Sequence, residues 1–145
     1  EYSYHSTEHR WIDDQANYII RMVTLSGPTV SSPLGTQGAN TVTDGVGTAA
    51  RFQNVFSIAI DSSSLVLFVG EYTANKVRRI VIVSLLVSTV IGEGTAAMTS
   101  GYPMAAQLSK PQGLEFFQTF RGTRRPRSHP ADSSLALSVT IVKHH

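Results

Sequence analysis

The chain has 145 residues, 41% of them hydrophobic and 15% charged, with a formal net charge of +2 at pH 7. That balance excludes wholesale disorder, and six prolines with eleven glycines are too few for a collagen-like chain. Zero cysteines exclude disulfides, thiolate metal sites and cysteine nucleophiles, while leaving the redox compartment open.

Residues 1–10 are read as an N-terminal segment. It starts at Glu1 with neither an initiator Met nor a basic-then-apolar leader, so the chain is expected to be processed or cut from something longer. His5 and His9 lie four apart, a spacing that chelates metal only on a helix, and this Ser/Tyr-rich stretch gives little reason for one. From Trp11 to Gly35 the chain reads as three short β-rich runs, and residues 36–50 read as a loop. Ser57–Ile60 and Leu65–Val69 follow as strands, separated by the turn-like Asp61-Ser62-Ser63-Ser64. In the second of these, Leu65, Leu67 and Val69 share one face while Val66 and Phe68 share the other. A strand apolar on both faces belongs between two layers. Lys76–Ile82 and Leu86–Ile91, both rich in Val and Ile, complete four strands. The longest apolar run, Ile80 to Val90, contains Ser84 and Ser88 and falls far short of the roughly 20 residues that span a bilayer.

The unit repeats. An offset of 57 carries Trp11 to Phe68, Asp14 to Glu71, Ile20-Arg21-Met22-Val23 to Val77-Arg78-Arg79-Ile80, Val30 to Val87 and Gly35 to Gly92. An offset of 56 carries Ala50 and Phe52 to Ala106 and Leu108, starting a third copy. The next strand of that copy is delayed: Ser133–Val139 matches Ser63–Val69 at an offset of 70, which places an insertion at about residues 118–131. Residues 116–145 carry a net charge of +4 and the remainder −2, so the basicity is local.

The run Asp44-Gly45-Val46-Gly47-Thr48-Ala49-Ala50-Arg51-Phe52-Gln53-Asn54, then Ser57–Asp61, Leu67-Phe68-Val69-Gly70-Glu71, Asn75–Ile80 and Val87–Gly92, resembles an NHL repeat, the blade unit of a β-propeller. The sequence departs from that pattern at Val55, Ser57 and Gly70-Glu71. The resemblance implies an all-β fold of four-stranded antiparallel blades in an incomplete ring. It divides the chain into a partial blade at 11–35, an interblade loop at 36–50, a full blade at 51–92 and the start of a third blade at 104–117. The basic insertion at 118–131 and a second strand of the third blade within 132–145 follow. Three strands of one repeat, four of a second and two of a third make little more than two blades, and propellers close with about 4 to 8. The chain is therefore expected to be a fragment, an assembling unit or part of an open polymer.

Arg121, Arg124, Arg125 and Arg127 offer guanidinium forks for phosphate, sulfated glycan or RNA, though only Phe120 interleaves with them as a stacking platform. The plainer alternative is a solvated basic loop. The resemblance places Asp13, Asp14, Glu71 and Asn75 on the turns where such propellers contact ligands, and a carboxylate ring there would suit Ca²⁺. Turn capping is the competing reading. Arg21 and Arg78, at matched positions, are expected to bridge Asp14 and Glu71, and Gly35 and Gly92 are structural repeat positions. Lyase-type enzymes resemble this family in fold and hold metal on histidines, yet His5, His9, His129, His144 and His145 all lie outside the repeats. Gly45-Val46-Gly47 and Gly92-Glu93-Gly94 precede no helical pattern with a Lys, so turn glycines explain them better than a phosphate loop.

These readings point to a non-enzymatic scaffold for extracellular or cell-surface assembly, with no metal and no cofactor. Its expected partners are other copies or other NHL-like blades, and a glycan or anionic polymer is a further candidate. The alternatives are RNA or anionic-polymer binding through the arginines, and part of a lyase-like propeller enzyme.

Overall fold

A computed structural model describes residues 3–5, 8–27, 29–61, 63–97, 100–102, 104–118 and 137–142, with side chains between residues 8 and 115. The basic insertion with Arg121, Arg124, Arg125 and Arg127, and His129, Lys143, His144 and His145, lie outside the described residues. The protein is all-β, built from antiparallel, blade-like sheets that form an incomplete propeller-like array.

The first sheet orders β1 (Ser3–His5), β2 (His9–Asp14), β3 (Ile19–Thr24) and β4 (Thr29–Gly35) in sequence. It therefore has four strands where the periodicity gave three. Ser3–His5 is too short and polar to carry a period, and its place is set by pairing, with Tyr4 opposite Trp11.

The second sheet follows the same meander through β6 (Val55–Ile60), β7 (Val66–Glu71), β8 (Lys76–Val81) and β9 (Leu86–Ile91). A fifth strand, β5 (Gly45–Val46), comes out of the interblade loop and pairs with the outer edge of β9, Gly45 opposite Val87. Covering that edge satisfies backbone groups that would otherwise template association. The third sheet pairs β10 (Gly113–Gln118) with β11 (Leu137–Val142). Carrying the second sheet's register across the sequence offsets would set Val139 opposite Leu114; Ile141 stands there instead.

The two faces of the second sheet account for its apolar residues. One face places Ile58, Leu67, Val69, Ile80 and Val87 against Trp11, Ile20 and Leu34 of the first sheet, with Ala50, Phe52 and Val55 closing the layer. The opposite face places Ala59, Phe68 and Val77 against Leu114 of β10. Each fully buried Val, Leu, Ile or Phe among them stabilises by about 1.5–3 kcal/mol relative to an exposed one. Trp11 and its repeat partner Phe68 both point toward the following sheet, so the 57-residue offset preserves facing as well as residue type.

The repeat extends to backbone that no composition reveals. Tyr18 and Asn75, 57 apart, both adopt the left-handed conformation at φ 59° and 54°. Each ends the turn that joins the second and third strands of its four-strand meander.

Candidate functional site

The matched pairs Asp14/Arg21 and Glu71/Arg78 sit on the equivalent face of the two sheets, in very different surroundings. On the first sheet Arg21 Nη1 lies 3.7 Å from Asp14 Oδ2, with both side chains partly open to solvent. Asp14 Oδ1 also accepts a 2.8 Å bond from the Asn17 side chain in the following 3-10 turn. On the second sheet Arg78 and Glu71 are both fully buried, 3.0 Å apart.

Arg78 is buried because the interblade loop folds over it. Its Nη2 donates to Asp44 Oδ1 at 2.6 Å and to the Thr43 carbonyl at 2.8 Å, its Nε donates to Asp44 at 3.1 Å, and its Nη1 also reaches the Arg51 carbonyl at 3.2 Å. The guanidinium lies 5.5 Å from the centre of the Phe52 ring. Asp44 is held in turn by the Thr89 amide and hydroxyl, each at 3.0 Å. One arginine thus ties the loop, β7, β8 and β9 together, which is the use a planar five-donor group suits.

Burial raises the Asp44 carboxyl, but the Thr89 amide and the Arg78 charge outweigh it and hold the group below its ordinary range. Glu71 goes the other way. Burial pushes it from 4.5 to about 7, against the attraction of Arg78 and the Gln53 amide. Its second oxygen, Oε2, finds no hydrogen-bond partner among the described residues. Between pH 4.5 and 7 the folded chain holds a proton on Glu71 that the unfolded chain has released, so this group stabilises the fold at acid pH. That contribution is lost as pH rises through the window. Roughly 3 kcal/mol follows from such a shift. Urea midpoints should therefore be higher at pH 5 than at pH 8, and Glu71→Gln should abolish most of the difference. An equal pH dependence in the variant would assign it to other groups.

The four predicted ligand-face residues differ in their surroundings. Asp13 and Asp14 open onto solvent, whereas Glu71 is enclosed and Asn75 is 7% exposed. Asn75 Nδ2 donates to the Thr73 and Gly94 carbonyls at 3.3 and 3.2 Å, and its Oδ1 accepts the Lys110 amide at 2.9 Å. It staples the turn to the approach of the third sheet. No group of three or more His, Asp or Glu side chains able to hold a metal comes together among the described residues.

Two clefts flank the turn at Gln15–Ala16. One, about 510 Å³, runs along the outer face of the first sheet over Ile12, Asp13, Asp14, Arg21, Val23 and Val30. The other, about 400 Å³, lies between the first two sheets and is lined by Gln15, Tyr18, Asn40, Gln53, Asn54 and Thr73. Gln15 donates to the Asn54 side chain across it. Asp44, Phe52 and Gln15 carry no signal of an individual site in the sequence. Asp44 was legible only as the start of the Asp-Gly motif, since its partner lies 34 residues away.

This geometry defines a propeller-like, all-β module with two surface clefts, one solvent-open charged pair and one enclosed pair. No family model and no curated protein matches the sequence. The fold is similar to solved Bacteroides structures. A protein of unknown function from Bacteroides thetaiotaomicron matches with a TM-score of 0.67 and 22% identity over 74% of this chain and 27% of that one. An auxiliary nutrient binding protein from the same organism matches with 0.68 and 18% over 76% and 30%. One from Bacteroides ovatus matches with 0.65 and 16% over 77% and 30%. The chain spans less than a third of the length of each. No helix among the described residues is long and apolar enough to cross a membrane.

Proposed function

We propose that the chain supplies blades to a non-enzymatic, NHL-like propeller scaffold that binds other molecules at the cell surface or outside the cell. The supporting observation is the contrast between two equivalent faces. Val69, Ile80 and Val87 are fully buried between sheets, whereas their counterparts Ile12, Val23 and Val30 line an open cleft. A face built to the same plan as a covered one is suited to further blades. The likeness to two auxiliary nutrient binding proteins supports a binding role over a catalytic one.

Native material, measured by light scattering and electron microscopy without fractionation, is expected to contain particles of many blades, as rings, filaments or longer chains. A monodisperse 15.7 kDa monomer would overturn the scaffold reading. Its exposed apolar face would then be a property of an isolated chain.

A further inference from the structure

We infer that the outer face of the first sheet is the docking surface for a further blade whose connecting loop places a carboxylate on Arg21, as Asp44 is placed on Arg78. This deepens the scaffold reading and rests on it.

Three observations carry the inference. First, Arg21 and Arg78 occupy the same position of the repeat, each beside its own acidic partner at the same spacing. Second, the Nε of Arg78 donates to Asp44, whereas the Nε of Arg21 is itself buried and finds no acceptor among the described residues. A buried donor left unmade costs free energy, and an incoming carboxylate removes that cost with a charge-assisted bond. Third, the surroundings match: Val30 is 55% exposed on the first sheet, and its counterpart Val87 is 1% exposed beneath the neighbouring sheet. Apolar contact and a single negative charge are thus both wanted at one place. A blade followed by an acidic loop supplies both, which a small anion or a purely apolar surface does not.

The spacing permits a direct test. Joining a copy of residues 1–57 ahead of Glu1 sets a second Asp44 34 residues before Arg21, the separation that joins Asp44 to Arg78. In this extended chain, solvent exchange of the Arg21 Nε–H should slow by about tenfold or more relative to the unextended chain, as a charged hydrogen bond implies. Asp44→Asn in the added copy alone should restore fast exchange. Unchanged exchange, or equal slowing by the Asn copy, would overturn the carboxylate assignment.

A second measurement does not depend on the added repeat folding. In native particles Val30→Asp should reduce the assembled mass, while Val83→Asp, at a site 86% exposed in the turn after β8, should leave it unchanged. Particles of full mass with Val30→Asp would overturn the docking face and leave the scaffold standing. A monomer without either substitution would overturn the scaffold itself. A dimer of this chain alone, lost with Val30→Asp, would make the occupant a second copy and overturn the blade with an acidic loop.

Discussion

At pH 8, where Glu71 is ionised beside Arg78, Arg78→Ala is expected to cost about 3–5 kcal/mol, the range for breaking a buried ion pair by removing one partner. Stabilities of whole domains run to about 5–15 kcal/mol, so most of the cooperative transition should be lost. Truncation strands the buried Glu71 carboxyl, leaves Asp44 held by Thr89 alone and removes one of the two hydrogen bonds that each of the Thr43 and Arg51 carbonyls accepts. It also empties the space above the Phe52 ring. The repeat provides an internal control. Arg21→Ala removes the matched side chain from a pair that solvent reaches, where about 0–1 kcal/mol is usual. Urea unfolding followed by Trp11 fluorescence reads both variants, because Trp11 is buried between the first two sheets. Similar losses at the two positions would mean that the interblade loop does not depend on the guanidinium. Arg78→Lys should recover little, since a point charge cannot reach Asp44, Glu71 and two carbonyls from one plane.

The fold was legible where apolar residues alternate under a fixed offset. Leu67 and Val69 on one face of β7, with Phe68 on the other, announced a sheet covered on both sides, and the two cores sit where that pattern requires. Ser3–His5 and Gly45–Val46 were not legible. Strands of three and two residues carry no period, and both exist because a longer neighbour offers its edge. The same limit applies to the charges. Asp14 with Arg21 and Glu71 with Arg78 stand out in sequence as repeated pairs, yet their surroundings differ through Asp44 and Phe52, which tertiary folding alone brings near Arg78. Sequence shows which residues recur. It does not show which recurrence is enclosed, and enclosure sets the Glu71 proton affinity and the cost of losing Arg78.

The positive-φ glycines make the second large effect. Gly92 sits at φ +91°, and a Cβ there would come within 3.0 Å of the Asn75 carbonyl oxygen, closer than real Cβ atoms approach. The conformation alone costs a non-glycine residue about 1–3 kcal/mol. Moving the Asn75 carbonyl costs more, because the Asn75 side chain holds Gly94 and Lys110 and so anchors the path to the third sheet. Gly92→Ala should therefore exceed the conformational cost, and the loss should extend to contacts between Leu114 and Phe68. Gly35 repeats the arrangement, with φ +86° and Tyr18 O at 2.7 Å from an added Cβ. Gly38→Ala separates the two causes: its φ is +78°, but an added Cβ meets nothing within 4 Å. Gly38→Ala should thus show the conformational cost by itself, and Gly27→Ala, open and without positive φ, close to none. Melting temperatures in the order Gly27→Ala, Gly38→Ala, Gly92→Ala from highest to lowest would place the larger penalty on the carbonyl. Equal losses at Gly38 and Gly92 would show that the turn moves aside at no cost, and that Asn75 does not anchor the third sheet.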